Sequence, residues 1–202
     1  MSARTETLGG RLPLLDPLTL SPAQKATYEH LNKTWIPWAN GVPFQSKLDD
    51  GRLIGPFNPI LFSPAISLSF LALQETEQKD TSLTKRVREV VILAVGSVWK
   101  SKYELYAHGA VARKAGIAED AIRMLTVGDQ PDELSEPEKI AQRYALQLST
   151  EHHVGAALYS EAEQAFGQRG LVEITYLTGI YHIVCALLNA FEIPVPGSQA
   201  DR

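Results

Sequence analysis

Between Val87 and Val98 the chain is rich in β-branched residues, yet Val87, Val90, Val91, Ala94, Val95 and Val98 recur at the three- and four-residue steps of one helix face. A strand would alternate with period two, and no stretch of the chain sustains that alternation. The run Ile174–Val184 behaves in the same way. The segments richest in strand-forming residues are therefore helical by pattern. The chain is expected to be all-α, a single-domain bundle of about eight helices.

Local punctuation places the helices. Residues 1–20 hold Gly9-Gly10, Pro13 and Pro17 and suit an extended N-terminal arm of the kind that docks on a neighbouring subunit. Ser21-Pro22 is an N-cap followed by proline at the first helical position, opening a helix of roughly 15 residues that Pro37 is expected to end. Residues 36–58 read as a long loop, and loops of that length in compact domains are usually functional or bridge subunits. Ser63-Pro64 opens a helix to about Lys79, and Thr81 or Ser82 starts the next. Ser101-Lys-Tyr-Glu104 fits an S-x-x-E capping box opening a helix that Gly116 stops. A short helix at 118–126, a loop at 128–134 and helices near 136–151, 158–166 and 171–191 follow. The domain is expected to span residues 21–195, with 196–202 as a tail.

At 202 residues one sizeable core is possible. A net charge of −4 and no basic cluster longer than Lys85-Arg86 or Lys100-x-Lys102 argue against nucleic acid. The apolar stretch Leu171–Phe191 is interrupted by Glu173, Thr175, Thr178, His182 and Asn189, so it is expected to be a buried helix and no membrane partner is implied. The polar N-terminus argues against a secretory signal, and the single cysteine, Cys185, excludes an intrachain disulfide. A cytoplasmic setting is the simplest. The partners expected are a small-molecule substrate and copies of the same chain.

Chemistry concentrates in one segment. Counting from Glu89, Ser101 is 12 residues on, Glu104 is 15 on and His108 is 19 on. Glu104 and His108 are four apart on one helix, so a carboxylate can orient the imidazole and favour its protonated form. Glu104 also falls in a first helical turn, where free N–H groups favour negative charge. Glu89 lies on an otherwise apolar helix and must find a partner there or rise in pKa. Other fates stay open for each residue. Glu104 can close the capping box with Ser101, His108 can be a satisfied core histidine, and Glu89 can pair with Arg86 or Arg88.

The spacing resembles the Glu-x11-Cys-x2-Cys-x3-His motif of alkylhydroperoxidase D proteins, with Glu89 and His108 kept and Ser101 and Glu104 in place of the two cysteines. The runs Arg88-Glu89-Val-Val-Ile-Leu93 and Tyr103-Glu104-Leu-Tyr-Ala-His108 are similar to the R-E-x-x-x-L and Y-E-x-x-x-H of the carboxymuconolactone decarboxylase branch. The resemblance covers residues 55 to 195, with Gly-Pro-Phe-Asn at 55–58 and Leu171-Val-Glu173 among its matches. It implies an alkylhydroperoxidase D-like helical bundle and a homo-oligomer, a trimer or hexamer, with pockets between subunits. It also implies a lyase (decarboxylase) or isomerase that uses no cofactor and no metal and acts on a small carboxylated lactone or related oxo-acid.

His108, Glu104 and Glu89 are the candidate catalytic residues. Tyr103, Ser101, Phe57, Asn58, Trp99 and His182 are the candidates for contacting substrate. A carboxylate at Glu104 repels a substrate carboxylate unless it is protonated or faces the reacting carbon. A non-catalytic small-molecule-binding oligomer is the alternative. A two-thiol peroxidase is disfavoured, because neither Ser101 nor Glu104 can form a disulfide.

Overall fold

The computed structural model describes residues 6–197. Among them the regular structure is helical, apart from one isolated bridge between Lys47 and Leu53. A 3-10 turn at Glu6–Gly9 precedes α1 (Pro22–Lys33), α2 (Trp35–Asn40), α3 (Phe57–Ile60), α4 (Pro64–Asp80) and α5 (Lys85–Trp99). Then come α6 (Lys102–Lys114), α7 (Glu119–Val127), α8 (Glu136–Glu151) and α9 (Ala156–Ala190). The all-α expectation is met. Gly167, at φ 65°, breaks α9 into the two helices that the sequence separates there.

The chain forms two compact units. One holds residues 6–73 and 186–197, and the other is Gln74–Cys185. In the first, Ser21 caps α1 and Pro22 takes its first turn as expected, with Gln24 closing the box on the Ser21 N–H at 3.0 Å. Pro37 does not end that helix. α1 stops at Lys33, and Pro37 sits in the first turn of α2, where its missing N–H would have had no intrahelical partner. The expected loop is shorter for the same reason, flanked by α2 and α3, and Tyr28 donates to the Gly51 carbonyl at 2.9 Å within it. The N-terminal segment is tied to its own chain, with Arg11 N–H donating to the Phe191 carbonyl at 2.8 Å. Gly10 has φ 62°, and a Cβ there would lie 2.1 Å from the Phe191 oxygen, so only glycine fits. Residues 1–5 of the expected arm and 198–202 of the expected tail lie outside the described residues.

The second unit is organised on α5. Every residue from Glu89 to Gly96 is buried, so the helix is enclosed on all sides, with α6, α7 and α8 packed around it. Val90, Leu93, Ala112, Ile117, Ala121, Ile122, Leu125 and Leu134 form one continuous apolar cluster. Burial of each large aliphatic side chain there contributes about 1.5–3 kcal/mol before entropy is counted. The α5 helix begins at Thr84, whose hydroxyl accepts from Val87 N–H at 3.2 Å, and not at Thr81 or Ser82. Those two hydroxyls turn to the Glu173 carboxylate instead, at 3.3 and 2.6 Å.

By length and composition α9 could cross a membrane, with an 18-residue window of mean hydropathy 1.7, half of it buried inside the fold. Its polar interruptions all find protein partners. Glu173 accepts from Ser82 N–H, Thr175 meets the Tyr144 hydroxyl at 3.0 Å and Thr178 donates to the Ile174 carbonyl. One face of α9 is thus packed in the fold, while Val172, Tyr176 and Ile183 stay exposed on the other.

Candidate functional site

The α5–α6 junction determines which way Glu104 faces. Lys100 adopts the left-handed conformation (φ 50°), and the Ser101 N–H that follows donates back to the Gly96 carbonyl at 3.1 Å, closing α5. That N–H is the group a capping-box carboxylate at Glu104 would need. The expected capping box therefore does not form: Ser101 stands at the N-cap of α6 without a side-chain cap bond, and Glu104 turns inward. Gly96 makes room for Leu105 at this turn, since a Cβ there would lie 2.9 Å from Leu105 Cδ2.

Inward of that turn, one imidazole gathers three side chains. His108 Nδ1 lies 2.8 Å from Glu89 Oε2. Its Nε2 lies 3.3 Å from Glu104 Oε1 and 3.2 Å from the Tyr181 hydroxyl. The Tyr181 ring meets the imidazole edge to face, with centroids 5.0 Å apart. Relative exposures of 4% for Glu89, 2% for Glu104, 7% for His108 and 8% for Tyr181 place all four in the interior. The Nδ1–H donates to Glu89, so the neutral imidazole presents Nε2 as its acceptor.

The electrostatics follow from burial. Desolvation pushes the Glu104 carboxyl up from 4.5 to about 7; His108 pulls it down and Glu89 pushes it up further. Burial works against the charged form of His108, but Glu89 and Glu104 outweigh it and raise the imidazole above 6.5. Glu104 and His108 are thus both held toward their protonated forms by the same cluster.

Both raised values make the folded state the tighter proton binder. The Glu104 contribution to stability is complete below 4.5 and disappears as pH rises through about 7. The His108 contribution is complete below 6.5 and is lost as pH rises through its raised value. Urea midpoints are expected to fall across this alkaline-going window. In Glu104→Gln, which mimics the protonated acid, the part between 4.5 and about 7 should vanish. Identical pH profiles for the two proteins would refute the assignment.

The other sequence candidates are placed as follows. Arg86 binds Glu138 at 2.6 Å and Arg88 binds Glu77 at 3.1 Å, so neither takes Glu89. Ser101 is fully buried, and its hydroxyl lowers the pKa of the Cys185 thiol. Burial, and then Glu104, raise that thiol more, leaving it protonated at neutral pH. Tyr103 is buried against Tyr106, ring centroids 5.8 Å apart. Trp99 and His182 contact each other: the indole Nε1 donates to His182 Nδ1 at 2.7 Å. Phe57 and Asn58 belong to the other unit, where Asn58 accepts from Leu15 N–H at 3.2 Å and donates to the Pro13 carbonyl at 3.1 Å.

Tyr181 is the site residue that sequence reasoning left outside its candidates. A signal was present, because Ile174, Leu177, Tyr181, Cys185 and Leu188 form a buried stripe at helical spacing that includes Tyr181 and omits His182.

No protein-family model matches the chain, and no curated protein is significantly similar in sequence. Solved structures are similar in fold. The alkylhydroperoxidase D core of an uncharacterized peroxidase-related protein from Ralstonia eutropha JMP134 superposes with a TM-score of 0.72 at 18% identity, covering 94% of this chain and 93% of that one. A second peroxidase-related protein, from Silicibacter sp. TM1040, gives 0.71 at 16% identity over 97% and 96%. The debrominase Bmp8 gives 0.67 at 14% identity over 96% and 95%. The chain has the alkylhydroperoxidase D-like fold.

Proposed function

We propose that this chain, on an alkylhydroperoxidase D-like fold, is an acid/base enzyme of lyase or isomerase type acting on a small carboxylated lactone or related oxo-acid. The observation that carries the proposal is a single buried imidazole contacted by two carboxyls, Glu89 on Nδ1 and Glu104 on Nε2, with the Tyr181 phenol also on Nε2. Pairs of titratable groups pushed apart by their surroundings are how one site supplies both an acid and a base near neutral pH. Glu89 would hold the Nδ1–H and stabilise the imidazolium, leaving Nε2 to take or give a proton at carbon. Glu104, raised to about 7, can meet an anionic substrate as a neutral acid, which removes the charge conflict that a carboxylate would impose.

In a decarboxylation, the bond to the carboxylate breaks, its electron pair is delocalised as an enolate, and a proton from His108 or Glu104 ends on carbon as CO2 leaves. Isomerisation uses the same groups without losing CO2. Neither reaction consumes an oxidant or a reductant.

A binding function without chemistry is the second proposal, and one observation favours it. Both ring nitrogens of His108 are already engaged, as in a satisfied core histidine. Proton NMR of candidate lactones and 2-oxo acids in D2O separates the two. Deuterium incorporation or CO2 loss that depends on the protein supports catalysis. A rise in melting temperature with unaltered ligand supports binding. Thiol peroxidase chemistry has no comparable support, since the chain's one cysteine is buried and protonated.

Assembly as a homo-oligomer, trimeric or hexameric, in a cytoplasmic setting is part of the same proposal. It is supported by apolar residues left outside on the single chain, among them Ile66 at 74%, Tyr176 at 58% and Val172 at 54% exposure. Light scattering that shows a monomer would remove it.

A further inference from the structure

We infer that Trp99, His182 and Ser149 form a hydrogen-bonded string that sets α9 so that Tyr181 reaches His108, making His182 a positioning residue of the site and not a substrate contact. Indole N–H can only donate. At 2.7 Å from His182 Nδ1 it requires that nitrogen to be bare, so the proton sits on Nε2 and is donated to the Ser149 hydroxyl at 3.0 Å. Both ring nitrogens are thereby used within the protein. The same geometry excludes Ser149 as a nucleophile activated by His182, because Nε2 has no lone pair to receive its proton.

The string joins the last residue of α5 to the final turn of α8 through the C-terminal third of α9. Tyr181 and His182 are consecutive, about 100° apart around the α9 axis. A rotation of α9 that breaks the His182 bonds therefore also withdraws the Tyr181 hydroxyl from His108 Nε2, 3.2 Å away.

Protonation is the natural way to break the string, because a proton on Nδ1 would face the indole N–H at 2.7 Å. His182 is half-buried, and its pKa is lowered, first by burial and then by His152 at the C-cap of α8. Trp99 and Ser149, its partners on α5 and α8, carry no charge. His152 is the one charged or titratable group among the described residues that shifts it. The folded state therefore binds this proton less well than the unfolded chain. The stability contributed by the string is present above 6.5 and lost as pH falls through the lowered value.

The inference rests on the acid/base proposal only for its effect on turnover, and its test begins without turnover. In the full-length protein with nitrogen-15-labelled histidine, His182 is expected as the Nε2–H tautomer at neutral pH, titrating below 6.5. The ring resonances of His108 should shift at the same midpoint. An Nδ1–H tautomer, or His108 resonances indifferent to the His182 titration, overturns the inference.

His182→Asn keeps an acceptor for the indole and cannot be protonated. Where turnover is found, it should abolish the acid-side loss of about tenfold per pH unit that a single proton imposes. His182→Leu should lower kcat about tenfold while KM changes less than about twofold, and His182→Asn should recover most of that loss. If His182→Leu does not fold, the wild-type resonances alone decide. Coupled His182 and His108 resonances in a protein whose turnover survives His108→Ala would uphold the string and sink the acid/base proposal.

Discussion

Replacing His108 by alanine is expected to lower turnover of a lactone or oxo-acid substrate by about 10²- to 10⁴-fold, the range over which a positioned acid/base side chain contributes. The expectation rests on connectivity. His108 contacts both Glu89 and Glu104, one through each ring nitrogen, so its removal separates the two carboxyls from the ring they act through. The substitution also leaves two buried carboxyls without their cation, and each must then take up a proton or find water. The variant should consequently melt lower at alkaline pH than at acid pH, where protonation relieves the uncompensated charge. That separates the two fates of a buried histidine. A satisfied core residue would lose stability at every pH while leaving turnover per folded molecule intact; a reacting group loses turnover even where the fold is secure. Glu89→Gln keeps an acceptor oxygen for Nδ1–H but not the charge that stabilises imidazolium, and should fall between alanine and wild type. Full activity in His108→Ala, measured per folded molecule, would end the acid/base proposal.

Much of this arrangement is legible in the sequence because it is local. Ser21-Pro22, Ser63-Pro64, Gly116 and Gly128 act within a turn of themselves, and the helices begin and end close to them. The boundaries that moved are those decided elsewhere in the chain. Thr81 and Ser82 are good N-caps by composition, but Glu173, some 90 residues away, takes their hydroxyls and the helix waits for Thr84. Pro37 reads as a stop and is a first-turn residue, because the chain had already broken at Thr34. The sharpest case is the S-x-x-E pattern, which stands at two helix starts. Ser135 and Glu138 make the box, with the Ser135 N–H donating to Glu138 at 2.9 Å. Ser101 and Glu104 do not, because the preceding helix already holds the Ser101 N–H. The same S-x-x-E pattern thus yields a capping box in one place and an uncapped, inward-turned acid in the other, and the difference lies in what the residue before the cap is doing.

The side-chain cluster was legible at its centre and not at its periphery. Spacing brought Glu89, Glu104 and His108 together, since 15 and 19 residues span one helix, a tight turn and the first turns of the next. Sequence reasoning favoured His182 for its chemistry, although the apolar stripe of Ile174, Leu177, Cys185 and Leu188 has the helical phase of Tyr181. His182 has the more reactive chemistry and Tyr181 the contact.

Removing the Glu77 carboxylate is expected to destabilise the fold by about 3–5 kcal/mol, the cost of leaving a buried cation unpaired. Glu77 binds Arg88 through two contacts, and their side chains are only 7% and 12% exposed. Burial is the largest influence and opposes the charged guanidinium; the Glu77 hydrogen bond, together with the charges of Tyr181, Glu77 and Glu89, more than offsets it. For a chain of this length 1 kcal/mol moves the melting temperature by about 2–4 °C, so Glu77→Ala should lower it by on the order of 10 °C. An exposed pair such as Arg123 and Asp120, at 67% and 84% exposure, is the control; Asp120→Ala should change stability by less than about 1 kcal/mol.

The consequence reaches the site. Arg88 adjoins Glu89 in sequence, and its charge lowers the pKa of both His108 and Tyr181. Without Glu77 that charge is unbalanced, and the imidazolium becomes harder to form. Glu77→Ala should therefore shift the His108 titration downward as well as weaken the fold. Removing both charges, as in Glu77→Leu with Arg88→Met, should restore much of the stability and move the His108 titration upward relative to Glu77→Ala. A single substitution costing under about 1 kcal/mol would mean that water reaches Arg88 and that its field at His108 is screened.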